Sequence, residues 1–275
     1  MKTTLLFLSV FLSTALFGQF TAIPDPNFEQ ALIDLGHDDV IDGQVLTSNI
    51  SGVYFLDVSF YSISDLTGIE DFTSLSGLGC FYNNLTSLDV SNNSQLSVLG
   101  CFANGISDLE LSQNTALTML VCSANMLTNL DLTQNISLRY LVCDYNELTS
   151  LDLSNNILLD TVYCYNNNLN CINVANGNNT NIMDFSAENN PNLTCIEVDD
   201  AAWAAANWTS IDLQTSFSED CNNDCSSTSG LNELTASKTL IQILDLMGRE
   251  TAFKPNTPLI YVYDDGSTEK VFAVE

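Results

Sequence analysis

A period of 21 residues limits what this chain can fold into. Cysteines stand at Cys80, Cys101, Cys122, Cys143 and Cys164, and their surroundings repeat with them. Leu78, Leu99, Leu120, Leu141 and Val162 precede them, and Asn83, Asn104, Asn125, Asn146 and Asn167 follow. Next come Leu85, Ile106, Leu127, Leu148 and Leu169, then a second asparagine column through Asn93, Asn114, Asn135 and Asn156. A segment this short cannot enclose a core alone, so the copies must stack, piling equal apolar positions into shared columns. Strands in such a stack lie about 4.8 Å apart. An asparagine at each bend can satisfy backbone groups that no strand partner reaches.

The unit reads L-x-x-L-x-C-x-x-N-x-L-T-x-L-D-L-S-x-N-x-x from about Leu75 to Val174, with looser copies over 50–198. It resembles the leucine-rich-repeat family, whose core pattern is L-x-x-L-x-L-x-x-N/C-x-L. The resemblance implies a leucine-rich-repeat solenoid, β-rich with short parallel strands, in the α/β class. Both halves of the unit fit that pattern: Leu96 to Asn104 does, and so does Leu85 to Asn93. The cysteine-bearing half is flanked by more Tyr, Phe and Val, which favours it as the main parallel sheet. The other half is expected to give short strands on the opposite face. Ile63, Leu66, Ile69 and Phe72 carry the looser N-terminal copy. Met183 and Phe185 are expected to keep the period, with a three-residue insertion near Asn189 to Pro191 shifting Leu193 and Ile196.

A solenoid must close its ends. Residues 1–19 pair Lys2 with an apolar run from Leu5 to Phe17. That run falls short of the ~20 residues of a membrane span, which predicts a cleaved secretory signal and no transmembrane segment after its removal. Residues 23–49 form the N-terminal cap. There Asp25, Pro26 and Gly36 suit the cap, first position and end of a helix, with Phe28, Ala31, Leu32 and Leu35 on one face. Residues 199–225 form a C-terminal cap, in which Asp200 to Trp208 reads as a short helix carrying Trp203 and Trp208 as a lid.

Residues 226–232 are a polar linker to a small all-β tail over 233–275. Apolar and polar residues alternate through Ile241 to Glu250 and Pro258 to Glu275, and Asp265-Gly266 is a hairpin signal. This tail resembles the C-terminal sorting domain of cargo of the Bacteroidetes type IX secretion system. The matching pieces are IQILDLMGRE and the closing YVYDDGSTEKVFAVE. The Y-P-N-P-like first strand of that family is missing, so the domain is abbreviated. The resemblance implies type IX machinery as a partner, export across the outer membrane, removal of the tail, and release or surface attachment.

Charge then narrows function. Six Lys and Arg stand against 34 Asp and Glu, a net of -28, and Arg139 is the lone base between residues 21 and 230. Such a surface repels phosphate, which excludes nucleic acid and anionic membrane as partners. The single histidine, His37, lies in the cap, and the nucleophile, base and orienting group of an enzyme are not assembled by any motif. No enzyme activity and no cofactor are expected.

Several residue sets have two readings. The five ladder cysteines replace inward leucines and suit a buried apolar column. One cysteine per coil lacks the paired spacing of a metal site. Cys171 and Cys195 fall in the outward column of Ser87, Asp108, Asn129 and Ser150, on neighbouring coils and within disulfide reach. Cys221 and Cys225 pair with each other or staple the lid. Asp89, Glu110, Asp131 and Asp152 form a column of like charge. Neighbours about 5 Å apart repel by only roughly 0.8 kcal/mol in water, so the column is a solvated face or a weak calcium site. His37-Asp38-Asp39 with Asp42-Gly43 is a second acidic candidate, with a polar turn as the alternative.

Outward positions of the main strands alternate with the inward Leu and Cys. They give columns Val98, Met119, Tyr140, Thr161; then Val121, Val142, Tyr163; then Phe81, Phe102, Ser123, Asp144, Tyr165. These expose apolar and aromatic groups beside acids, as a binding surface does, although the same residues also favour strands. The sequence therefore points to a secreted or outer-surface protein that binds a protein or glycan as an adhesin or adaptor. A structural or calcium-stabilised surface component is the alternative.

Overall fold

Each coil contributes one three-residue strand to the main sheet, because the apolar pattern turns inward only briefly before the next bend. A computed structural model describes residues 18–222 and 225, and further along 240–244, 249–251, 258–263 and 268–272. Residues 1–17 of the expected signal over 1–19, the linker and the Asp265-Gly266 turn lie outside the described residues.

The described residues of the first unit, Met1–Ser227, form a parallel solenoid. It opens with an antiparallel pair, β1 (Phe20–Ala22) and β2 (Gln44–Leu46), which flanks helix α1 (Pro26–Asp34) and precedes the short α2 (Thr47–Ile50). Strands β3 (Phe55–Asp57), β4 (Gly77–Gly79), β5 (Val98–Gly100), β6 (Met119–Val121) and β7 (Tyr140–Val142) then stack in register. With β9 (Thr161–Tyr163) and β11 (Asp184–Ser186) they complete a seven-stranded parallel sheet. This is the cysteine-bearing half of the repeat. The other half makes a second parallel sheet from β8 (Ser150–Asp152), β10 (Cys171–Asn173), β12 (Cys195–Glu197) and β13 (Ser216–Ser218). Between them every ladder leucine and cysteine is buried in one continuous core.

The asparagines bind the coils together. Asn125 donates from Nδ2 to the carbonyls of Cys101 and Cys122, at 3.0 and 3.1 Å, and its Oδ1 accepts from the Ile106 N–H at 3.0 Å. One side chain thus joins its own bend to the bend before it. Asn83, Asn104, Asn146 and Asn167 do the same in their coils. Asn190 extends the column one coil further. The residue before each of these asparagines is left-handed: Tyr82, Ala103, Ala124, Tyr145, Asn166 and Asn189 have φ of 50 to 58°. The bend demands this conformation of residues that carry a Cβ, at a cost to each. In the second column Asn93, Asn114, Asn135 and Asn156 also donate to carbonyls of the preceding coil, such as Asn114 Nδ2 to Val90 O at 2.9 Å.

Three expectations are corrected here. Phe185 stands one period after Cys164 in sequence but pairs with Val162, and Ala187 is buried where the next cysteine would stand. Two of the three inserted residues therefore enter between Val174 and Ile182, where a 3-10 turn at Asn179–Asn181 absorbs them. Met183, displaced from the core column, is 85% exposed. Leu35 leaves the apolar face of α1 because the helix ends at Asp34 and the chain turns outward through Gly36 at φ 80°.

The closures are polar devices over apolar plugs. Asp25 caps α1 with Oδ1 and reaches the Ser64 and Asp65 N–H groups with Oδ2, at 2.7 and 3.0 Å. Buried Glu29 gathers the N–H groups of Asp42, Gly43 and Gln44 on Oε1. That carboxylate holds the end of the acidic His37 to Gly43 segment at Asp42 and Gly43. At the other end Asp200 caps α3 (Ala201–Asn207), and Trp208 stacks on Phe185 at 4.4 Å while donating from Nε1 to Ile182 O.

Cys171 and Cys195 do not bond each other. Cys171 joins Cys225 and Cys195 joins Cys221, with Cα separations of 5.5 and 5.9 Å. Parallel in-register neighbours hold their Cβ atoms about 4.8 Å apart and pointing the same way, beyond the ~3.8 Å that a bridge needs. A segment crossing above the strands can approach each sulfur from outside. The second unit, Thr228–Glu275, contains antiparallel strands β14 (Leu240–Leu244), β15 (Pro258–Tyr263) and β16 (Thr268–Phe272) in one sheet.

Asn125→Ala removes the side-chain bonds to the Cys101, Cys122 and Ser123 carbonyls and from the Ile106 N–H, and is expected to cost about 2–4 kcal/mol in chemical unfolding. Ala124→Gly, one residue away, relieves the left-handed strain and is expected to stabilise the chain by up to about 1 kcal/mol. If both lower stability equally, the bend is not held as described.

Candidate functional site

On the outer face of the seven-stranded sheet the expected columns are in place. Val98, Met119, Tyr140 and Thr161 pair in register, as do Val121, Val142 and Tyr163. Their character changes along the solenoid axis. At the N-terminal coils the face is aromatic and apolar. Phe81 and Phe102 stack with ring centres 4.8 Å apart, and Phe60 stacks on Tyr82 at the same distance. At the C-terminal coils it is phenolic and acidic, with Tyr145, Tyr163 and Tyr165 in edge or tilted contact.

Glycines shape the apolar half. Gly77, Gly79 and Gly100 occupy outward strand positions where other coils carry Val, Met or Tyr. A Cβ on Gly77 would lie 2.5 Å from the Phe55 ring, and one on Gly79 would lie 3.2 Å from the Phe81 ring. The rings therefore lie flat across bare backbone. Phe55, Gly79, Phe81, Gly100, Phe102 and Met119 border an open apolar depression of about 170 Å³, with Val98 and Val121 in its wall. Phe55 is 65% exposed and Met119 37% exposed at its rim.

Sequence reasoning missed Phe55 and the glycines. A glycine inside a strand pattern is the available signal, since it marks close approach of another group.

The acidic half is organised around Asp144. It was expected as an exposed group, but it is buried, because the column carries the small Ser123 beside it and Tyr165 leans over it. Ser123 donates from Oγ to Asp144 Oδ1 at 2.6 Å. Burial pushes the Tyr165 hydroxyl up to about 12, with its hydrogen bond to the Asp144 carboxylate and that group's charge acting in the same direction. Tyr163 is raised by partial burial and by Asp184.

The remaining sequence candidates have the following surroundings. Asp89, Glu110, Asp131 and Asp152 each accept the N–H two residues ahead, from Ser91, Ser112, Thr133 and Ser154. Hydrogen bonds from the Ser91 and Ser112 side chains, and then from their N–H groups, lower the Asp89 and Glu110 carboxyls below the usual range. The column is a row of capped turns, and no group of three or more metal-ligating side chains is gathered among the described residues. Cys80, Cys101, Cys122, Cys143 and Cys164 are free, fully buried thiols. Burial raises all five, Cys101 and Cys164 to about 12. They are inert fillers, since thiolate is the reactive form. No helix among the described residues is long and apolar enough to cross a membrane.

Fold and site together define a leucine-rich-repeat solenoid with a differentiated sheet face. No family model matches the chain. Over 74 residues it is 40% identical to Internalin J of Listeria monocytogenes serotype 4b (strain F2365), a stretch that is 26% of this chain and 8% of that protein. Among solved structures, the functional domain of InlJ from Listeria monocytogenes, which includes a cysteine ladder, aligns at 26% identity and a TM-score of 0.44. It covers 66% of this chain and 52% of that one. An internalin, InlF, of strain 4b F2365 aligns at 18% identity and a TM-score of 0.49, covering 71% of this chain and 68% of that one.

The Tyr165 shift has a checkable consequence. A hydroxyl raised on folding contributes stability that is complete below about pH 10 and lost as pH climbs through about 12. In a spectroscopic tyrosine titration, Asp144→Asn is expected to move the latest-ionising phenol down toward 10. An unchanged titration curve counts against the Tyr165–Asp144 contact.

Proposed function

We propose that this chain is a non-catalytic secreted or outer-surface protein. Its seven-stranded sheet face binds a protein partner, in the manner of an adhesin or adaptor. The observation that carries the reading is the open aromatic depression around Phe81 and Phe102 on an otherwise acidic molecule. Exposed apolar surface of this kind is costly in water and is usually retained for a partner, with aromatic groups as the anchors. Two disulfides support an oxidising, extracytoplasmic setting. The one histidine lies in the cap among acids, and the five ladder thiols are buried, which supports a non-catalytic reading.

Export through the type IX system is the second part of the proposal. It rests on the IQILDLMGRE and YVYDDGSTEKVFAVE segments of the tail and on the antiparallel strands they supply.

Two experiments test this reading. Replacing Tyr140, Tyr163 and Tyr165 together by alanine is expected to reduce adhesion of beads coated with the chain to cells at least tenfold, with little change in melting temperature. Retained adhesion moves the site off this face. Residues 233–275 fused to a reporter are expected to direct it outside a type IX-competent cell, and a reporter kept inside removes the sorting role.

A further inference from the structure

The two halves of the sheet face differ in chemistry, and the difference specifies what they fit. This inference rests on the sheet face being the binding surface. The apolar half offers a depression sized for one large side chain, floored by Gly79 and Gly100 and walled by Phe81 and Phe102. The other half offers Asp144, a buried carboxylate whose partners are neutral hydroxyls, Ser123 Oγ and Tyr165. Arg139, the lone base between residues 21 and 230, is exposed at the opposite end of β7 from Asp144. A carboxylate held away from water gains more from an arriving cation than an exposed one does. The neighbouring phenol faces of Tyr163 and Tyr165 also suit a cation.

Phe102, Ser123 and Asp144 follow one another in a single column, so the two features lie two strand spacings apart, about 10 Å. In an extended peptide of the polyproline II type, with three residues per turn and about 3.1 Å per residue, side chains three residues apart lie on one side at about that distance.

We propose that the face binds an extended segment of a protein partner that presents a large apolar side chain to the Phe81–Phe102 depression and a lysine or arginine, three residues away, to Asp144. Charge agrees with this assignment, since a chain of net charge -28 attracts basic segments and disfavours acidic ones.

The test uses the full chain immobilised against a phage-displayed library of random twelve-residue peptides. Enriched sequences are expected to carry Phe, Trp, Leu or Met three positions from Lys or Arg. The consensus peptide, synthesised with a fluorophore, is then titrated. Gly100→Leu fills the depression, its Cβ meeting only an ordinary 3.4 Å contact with Phe81, and is expected to weaken binding at least tenfold. Asp144→Asn, which keeps an acceptor for Ser123, is expected to weaken it at least tenfold and to flatten its salt dependence. Met119→Glu, at an exposed rim position, tests the face without touching the floor.

Peptides blocked by Met119→Glu but lacking the apolar–basic pair overturn this inference and leave the sheet-face reading standing. Peptides indifferent to all three substitutions overturn both. Failure to enrich any peptide, or selective capture of a glycan on an array instead, also counts against it.

Discussion

Every coil of this molecule depends on one side chain reaching across to the coil before it. A solenoid bend leaves carbonyls and N–H groups pointing inward, where neither water nor a strand partner meets them, and an unpaired buried group costs about 1–3 kcal/mol. The amide of Asn125 and its equivalents answers two carbonyls and one N–H at each step. Because those groups belong to two coils, the bond that satisfies a bend is also the bond that sets the stacking distance. The apolar columns then fall into register, and the cysteines, one per coil, fill the narrow part of the core beside the asparagines. A left-handed residue before each asparagine is the accompanying cost, and the chain accepts it even at Tyr82 and Tyr145.

The same logic separates what the sequence discloses from what it conceals. Columns spaced by the period announce themselves, so the ladder cysteines, the asparagines and the main sheet were legible before any coordinates. Features that break the period were not. The insertion was misplaced because Met183 and Phe185 happen to be apolar at the expected spacing. Only the pairing of Phe185 with Val162 shows that the surplus residues lie earlier. The disulfides escaped because the partners of Cys171 and Cys195 come from a segment beyond the repeat, whose path no periodicity describes. Asp144 looked exposed because strand alternation places it outward; a small neighbour on one side and a large one on the other bury it.

Acids illustrate how local geometry overrides residue type. Asp89 and Asp144 are both carboxylates in outward columns. Asp89 folds back on its own turn, takes the Ser91 N–H, and stays in water, where repulsion from its neighbours is weak. Asp144 has no turn to cap and lies instead against Ser123 and Tyr165, where its charge reaches the phenol and the thiols of Cys143 and Cys164 behind the sheet. A count of acids treats the two alike, whereas one caps a turn in water and the other lies buried against two neutral hydroxyls.

The strongest internal sign that the sheet face serves a purpose beyond stability is its irregularity. Inward positions are nearly constant from coil to coil, Leu78, Leu99, Leu120, Leu141 and Val162, because each must fit the same shared core. Outward, the aligned positions read Gly77, Val98, Met119, Tyr140 and Thr161, and the next column reads Gly79, Gly100, Val121, Val142 and Tyr163. If strand formation alone governed these sites, a β-branched residue at every step would serve best and glycine worst. Instead the small residues gather at one end, where they seat aromatic rings, and the tyrosines gather at the other, around a buried carboxylate. Stacking alone does not call for a gradient of that kind. It gives the face two chemically distinct ends at a fixed separation, which is what a surface needs in order to prefer one partner, and one orientation of it, over others.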